Sequence, residues 1–333
     1  MITRANQVES VFTSMIEVNN LTIDFSIGGG LFKRDYLRAV SEVSFALKAG
    51  QALAIVGESG SGKSTVARAL CRLYQPTAGT ISIDGDNVNI GKARLRQKDY
   101  AQSVQMIFQD PFGSLNPVHT VRHHLCRPIR IHNPKLSSSE IESKVIELID
   151  RVGLSPAAQT AAKFPYELSG GQRQRVAIAR ALAVGAKFIL ADEPISMLDV
   201  SIRLGILNLM DDMKLDGIGF MYITHDIATA RYFAEQTAVM YVGHMVEWGD
   251  SDSVTQNPQH PYTQLLISAV PEALKERDRE PKAKKAELQL RTPDSAGCPF
   301  ANRCLQATSK CRTTMPSTKQ IAPDHFVRCF ALE

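Results

Sequence analysis

The sequence predicts an α/β fold in which an antiparallel β layer, a helical insertion and a cysteine-bearing C-terminal extension are attached to a parallel core. Three observations predict it. The apolar run 52–56 is followed by Gly57-Glu58-Ser59-Gly60-Ser61-Gly62-Lys63-Ser64-Thr65 and then by the helical stretch Val66-Ala67-Arg68-Ala69-Leu70. Further short apolar runs at 104–108, 188–191 and 219–224 have the continuous character of strands buried on both faces. Residues 112–185 instead carry apolar side chains at helical spacing.

Taken in order, residues 15–50 alternate. Ile16, Val18, Leu21, Ile23 and Phe25 mark one strand, and Val40, Val43, Phe45 and Leu47 mark another. Gly28-Gly29-Gly30 between them is expected to be a flexible loop. Phe25 and Tyr36 are the aromatics able to stack on an adenine ring, although Phe25 fits a core position equally well. The stretch 57–65 matches G-x-x-x-x-G-K-[ST] in its strand–loop–helix setting. Its glycines let successive N–H groups turn inward on a phosphate, and the helix N-terminus adds partial positive charge. Lys63 can reach β- and γ-phosphates, and the Ser64 hydroxyl suits Mg²⁺.

Residues 75–80 form a turn before a strand at 81–85, and the basic stretch 92–100 predicts an exposed helix. The strand at 104–108 stops at Gln109-Asp110-Pro111. In the helical insertion Ile141, Val145, Leu148, Ile149 and Val152 share one face, behind the N-cap candidates Ser137-Ser138-Ser139-Glu140. The insertion ends in Leu168-Ser169-Gly170-Gly171-Gln172, with a helix expected over 176–183. The apolar run 188–191 ends in Asp192-Glu193-Pro194, which fits a metal-and-water site at the C-terminal edge of a parallel sheet. Ser196-Met197-Leu198-Asp199 leads into a helix over 202–214. The strand 219–224 ends in His225-Asp226, and 238–248 reads as a hairpin. A helix starts at His260-Pro261-Tyr262-Thr263, and 275–291 is a dense mixed charge run expected as a solvated linker.

The 333 residues are 44% hydrophobic and 22% charged, ample for a core, and a net charge of +4 argues against nucleic acid as the main partner. No apolar run reaches the roughly 18–20 residues of a membrane span. Residues 1–14 lack the apolar segment of a signal peptide, so a cytoplasmic chain is expected, free to dock on a membrane protein. Disulfides are not expected there. Four of six cysteines, Cys298, Cys304, Cys311 and Cys329, cluster with spacing C-x5-C-x6-C-x17-C. The clustering points to metal, but zinc sites usually show tighter pairs. A [4Fe–4S] cluster, zinc and free thiols stay open.

Together, 57–65, Gln109, 168–172, 188–193, Asp199 and His225, in that order, resemble the nucleotide-binding subunit of an ABC transporter over 15–255. The motif at 168–172 sets this resemblance apart from other phosphate-loop ATPases. Features at 28–34, 112–117, 257–263 and 297–304 resemble the ATP-binding subunits of oligopeptide, dipeptide and nickel importers, and within them the second ATPase subunit of dipeptide importers. Met197 departs from that pattern, where the family usually has Ala.

The resemblance implies a P-loop NTPase (RecA-like) core, an ABC-specific helical subdomain at about 112–185 and an importer-type extension at 256–333. It implies ATP and Mg²⁺, with Ser64, Gln109 and Asp192 at the metal, Glu193 as general base, and His225 and Lys63 at the γ-phosphate. Ser169, Gly170, Gly171, Gln172 and Asp199 would close on the ATP of another chain. It also favours the iron–sulfur option for the four cysteines. The implied partners are a second, different ATPase subunit, two transmembrane permease subunits and an extracytoplasmic solute-binding protein, with the chain on the cytoplasmic face of the membrane. Peptides are the implied cargo, with nickel, opines or oligosaccharides as alternatives. A soluble ABC ATPase of DNA repair or translation is a reading of another class; such proteins usually carry two cassettes or a long coiled-coil insertion, and neither is found in this sequence. A redox-regulatory role for the cysteine tail is a third.

Overall fold

The apolar runs fold as strands because each side chain in them can be buried. Ala52–Val56, Phe188–Asp192 and Gly219–Thr224 are buried at every position. The computed structural model describes residues 14–30, 33–88, 97–269 and 291–332. In chain order the strands are β1 (Met15–Gly30), β2 (Lys33–Lys48), β3 (Ala52–Val56), β4 (Ala78–Ile83), β5 (Asp86–Asn87), β6 (Val104–Ile107), β7 (Phe188–Asp192), β8 (Gly219–Thr224), β9 (Gln236–Tyr241), β10 (His244–Asp250), β11 (Lys319–Ala322) and β12 (His325–Val327). The helices are α1 (Lys63–Leu70), α2 (Gln97–Ser103), α3 (Pro111–Ser114), α4 (Val121–His132), α5 (Ser138–Arg151), α6 (Ala157–Ala162), α7 (Gly170–Leu182), α8 (Val200–Leu215), α9 (Ile227–Phe233), α10 (Ser251–Gln256), α11 (Pro261–Ser268) and α12 (Ser309–Thr313).

The chain divides into two compact units. The first comprises Ala93–Met221 with Lys48–Gln51 and the N-terminal residues up to Ser14. Its strands β6 and β7 pair in parallel, Val104 opposite Phe188. Its helical part buries Val121, Leu125 and Ile129 of α4, Ile141, Val145 and Ile149 of α5, and Val176 and Ile178 of α7. The cap predicted before α5 forms, with Ser137 and Glu140 in a reciprocal capping box.

The second unit comprises Met15–Leu47, Ala52–Lys92 and Tyr222–Glu333. It holds an antiparallel sheet in the order β2-β1-β4-β5. A second set of strands runs β11-β12-β10-β9-β3, with β3 and β9 parallel and the others antiparallel. Parallel pairing of β3 with β9 places the C-terminal end of β3, and so the 57–63 loop, beside Met240.

Several boundaries differ from expectation. Gly28 to Gly30 continue β1 rather than forming a loop. The helix at 92–100 is found at 97–103 and is not wholly exposed, because Tyr100 is fully buried; positions 92–96 lie outside the described residues. The helix expected from 176 begins six residues earlier, at Gly170, because Ser169 caps it and Gly170 and Gly171 form its first turn. The charge run at 275–291 lies outside the described residues except for Arg291. Among the described residues no helix is long and apolar enough to cross a membrane.

The C-terminal extension is fastened to β10 by a buried carboxylate. Glu247 accepts hydrogen bonds from the backbone N–H groups of Gln259 (2.8 Å) and His260 (2.9 Å), and its Oε1 lies 2.8 Å from His325 Nε2 on β12. A fully buried carboxylate is tolerated only when its oxygens are so occupied. His260 is buried too, and its Nδ1 accepts from the Tyr262 N–H, capping α11. Burial pushes the His260 imidazole down to about 3.

The folded chain therefore refuses a proton that the unfolded chain accepts below its ordinary value near 6.5, so this stabilisation is complete above about pH 6.5 and is lost as pH falls towards 3. His260→Asn keeps a capping acceptor without titrating. Denaturant unfolding between pH 6.5 and 5 is expected to show a stability slope shallower than wild type by up to about 1.4 kcal/mol per pH unit.

Candidate nucleotide-binding site

The loop after β3 curls because its glycines permit what other residues do not. Gly60 and Gly62 have φ of +80° and +99°. Gly57 allows close backbone approach, since a Cβ there would lie 2.2 Å from the Met240 carbonyl oxygen. The curl is closed by Ser61 N–H donating to Glu58 O (3.2 Å) and Gly243 N–H donating to Ser61 O (2.9 Å). Lys63 is buried at the first position of α1, and its ammonium donates to the carbonyls of Gly57 and Glu58, both at 2.8 Å. Ser64 and Thr65 follow in the first turn of α1, half-buried, while Ser59 and Gly60 are exposed. Gly62, the residue that opens α1, has no side chain to cap it, so the N-terminal end of the helix is bounded by backbone alone.

Two aromatics were candidates for adenine. Phe25 packs edge-on against Tyr74 at 5.0 Å between centroids, and Tyr36 is 39% exposed. Tyr36 is thus the more available ring. His225, also in the second unit, follows β8 and is exposed, just ahead of Asp226, which caps α9.

The first unit holds the acidic and signature residues. Asp192 ends β7 and is buried. Glu193 follows with φ of +47°, a left-handed conformation rare for a non-glycine residue and common where a side chain must be aimed. Gln109 Nε2 donates to Glu193 Oε2 at 3.1 Å, joining two residues 84 positions apart. Ser169 and Gln172 exchange bonds at the start of α7: Gln172 N–H donates to Ser169 Oγ (3.3 Å) and Ser169 N–H to Gln172 Oε1 (3.0 Å). A Cβ on Gly171 would meet Ile202 Cγ2 at 2.7 Å, so α7 packs tightly on α8 there. Asp199 caps α8 through its backbone carbonyl, which accepts from Ile202 N–H.

The oxygen donors of Ser64, Gln109 and Asp192 have the hard character that Mg²⁺ prefers. The tail cysteines differ. Cys298, Cys304, Cys311 and Cys329 all line one hollow, but it measures about 20 Å³, room for roughly one water molecule. Among the described residues no group of three or more His, Cys, Asp or Glu side chains is arranged to hold a metal ion. Burial pushes the Cys298 thiol up to about 12 and raises that of Cys329 as well. The expectation of an iron–sulfur cluster finds no support in this geometry.

Two contacts to the loop were absent from the sequence-predicted site. Glu58 N–H donates to Tyr262 Oη at 2.8 Å, and Arg303 pairs with both Glu58 carboxylate oxygens at 2.7 and 3.0 Å. The partners stand 204 and 245 positions away, and no local pattern signals contact at such range.

The ABC transporter family model matches residues 40–196, and the model described as the oligopeptide/dipeptide transporter C-terminal region matches 246–311. The oligopeptide transport ATP-binding protein AppF of Bacillus subtilis is 42% identical over 98% of this chain and 99% of its own length. The di/tripeptide transport ATP-binding protein DppF of Pseudomonas aeruginosa is 40% identical over 92% of this chain and 94% of its own. Among solved structures, the dimeric bacterial ABC transporter cassette MJ0796 is similar with a TM-score of 0.62 at 30% identity, covering 71% of this chain and 98% of that one.

The two kinds of glycine constraint in the loop are separable. Gly57→Ala is expected to cost about 3 kcal/mol because the Met240 backbone must move. At Gly60 an added Cβ meets nothing within 4 Å, so Gly60→Ala is expected to cost only the left-handed penalty of about 1 kcal/mol. Denaturant unfolding of the two variants checks this.

Proposed function

The chain belongs to the ABC transporter family, among its oligopeptide and dipeptide transport ATP-binding proteins, and is an ATPase of that family; from that premise we propose that it energises import of short peptides as one of two ATPase subunits of a membrane importer. The observation that carries this reading is that one chain offers two helix N-termini suited to phosphate. One is α1, opening at Lys63 behind a glycine loop; the other is α7, opening at Gly170 behind the Ser169 cap. One nucleotide per chain needs only the first. The second is then presented to ATP held by another subunit, giving a dimer with two ATP molecules between the chains. A solved relative's description as a dimeric cassette supports this arrangement.

In the proposed reaction a water oxygen attacks the γ-phosphorus and the bond to the β–γ bridging oxygen breaks. Lys63 and the loop N–H groups hold the β- and γ-phosphates. Glu193 orients the water and takes its proton, and Gln109 holds the Glu193 carboxylate in place through their 3.1 Å bond. His225 bonds the γ-phosphate. Mg²⁺ accompanying ATP would be held by Ser64, Asp192 and Gln109 and would neutralise phosphate charge. Ser169, Gly170, Gly171, Gln172 and Asp199 serve the partner's nucleotide. Tyr36, the exposed aromatic, is assigned to adenine.

Residues 15–255 form the ATP-binding domain in this reading, and 256–333 form the extension. Exposed Phe112 and Met197 in the first unit, both more than half exposed, support docking of other subunits there. Two permease subunits and an extracytoplasmic solute-binding protein complete the importer, with the chain peripheral on the cytoplasmic face.

Two outcomes test the proposal. Glu193→Gln is expected to lose at least about 10²-fold in ATP hydrolysis while still binding ATP, and to accumulate as a dimer in size-exclusion chromatography with ATP. Normal turnover in that variant removes Glu193 from the base role. In cells lacking the endogenous gene, wild type is expected to restore uptake of a labelled dipeptide and Lys63→Ala is not. Equal uptake with both removes the chain from peptide import.

A further inference from the structure

The phosphate loop carries an acid at its second position. Glu58 follows Gly57, and its own carbonyl oxygen lies 2.8 Å from the Lys63 ammonium. An unpaired carboxylate at that place repels the anion the loop exists to bind. In this chain the C-terminal extension occupies it. The Arg303 guanidinium takes both carboxylate oxygens, at 2.7 and 3.0 Å, in the planar two-point geometry that arginine alone provides. Hydrogen bonding to Glu58 holds the guanidinium above its ordinary value.

Arg303 is itself well placed. Its backbone N–H donates to Phe300 O, and the guanidinium lies 5.7 Å from the ring centroids of both Tyr241 and Phe300. Tyr241, Tyr262 and Phe300 pack on one another with centroids 4.6 to 5.4 Å apart. The same cluster supplies the phenol oxygen of Tyr262 that accepts the Glu58 N–H at 2.8 Å. The extension therefore grips Glu58 by its side chain and by its backbone. The Arg303 side chain is 17% exposed and that of Glu58 32%, so solvent screens the pair only in part.

We propose that Arg303 is a positioning residue for ATP: it pairs with Glu58 and turns that carboxylate away from the triphosphate, making the C-terminal extension a working part of the phosphate loop. The proposal rests on the assignment of 57–65 to ATP. It also gives the extension a role that requires no metal at its cysteines. Arg303 acts through Glu58 and touches no reacting atom.

The test is equilibrium binding of ATP with Mg²⁺ to the full chain, together with steady-state hydrolysis. Arg303→Ala is expected to raise the Kd for ATP about tenfold, with KM rising more than kcat falls. Arg303→Lys, which keeps the charge and loses the two-point geometry, is expected to recover part of the loss. Glu58→Gln combined with Arg303→Ala removes the stranded carboxylate and is expected to return to within about threefold of wild type. A merely structural role predicts no such rescue, because the packing lost with Arg303 stays lost.

Wild-type Kd in Arg303→Ala, or a double variant as weak as Arg303→Ala, overturns the proposal. If Arg303→Ala fails to fold, the double variant and Arg303→Lys decide in its place, by the same comparison with wild type. Failure of wild type itself to bind ATP would overturn instead the nucleotide assignment on which the proposal stands.

Discussion

The inward turn of the backbone between Gly57 and Lys63 is the constraint on which the second unit is built. A run of N–H groups can face one point only if the chain enters the left-handed region, and Gly60 and Gly62 do so. The curl must also be backed closely by other backbone. A Cβ at Gly62 would lie 2.5 Å from Ala39 O, and one at Gly57 would lie 2.2 Å from Met240 O. The loop is thus wedged between β2 and the end of β9, and the parallel pairing of β3 with β9 supplies the wedge. Lys63 completes the closure with its bonds to Gly57 and Glu58, so the loop is shaped in advance of any ligand. Such preorganisation limits the entropy lost on binding.

The same logic of satisfied buried charge governs the extension. Glu247 has three partners from two separate places in the chain, the adjacent Gln259 and His260 and the distant His325. It sets where the chain turns into α11, and so where Tyr262 stands. Tyr262 then meets the aromatic cluster and the loop. A buried carboxylate on β10 therefore reaches the phosphate loop through two short, well-packed steps. The extension is held by hydrogen bonding and aromatic packing, and Cys298 and Cys304 pack against this core as apolar groups.

Much of this was legible in the chain. The loop motif, the apolar strands that stop just before Gln109, at Asp192 and at Thr224, and the Ser137–Glu140 cap each rest on local spacing, which folding preserves. Errors arose where a local signal was overruled. Glycines at 28–30 read as a loop, yet they extend a strand paired in a sheet. Gly170 and Gly171 read as the end of a loop, yet the Ser169 cap lets helix begin on them. The basic stretch near 100 read as exposed, yet Tyr100 anchors it inside. The four tail cysteines, whose clustering in sequence pointed to metal, line one hollow, but clustering says nothing of ligand geometry.

The sequence by itself determined the local chemistry of this protein: a loop of phosphate-binding pattern, a Ser-Gly-Gly motif ahead of a second helix, two acids at the end of a buried strand, and their order along the chain. Each follows from residue types at short spacing, where stereochemistry leaves few choices. Only the tertiary structure decided which distant groups act on them. The bond from Gln109 to Glu193 spans 84 positions and that from Arg303 to Glu58 spans 245. Such contacts depend on how sheets and helices stack, and no short-range pattern in one sequence encodes a partner hundreds of residues away.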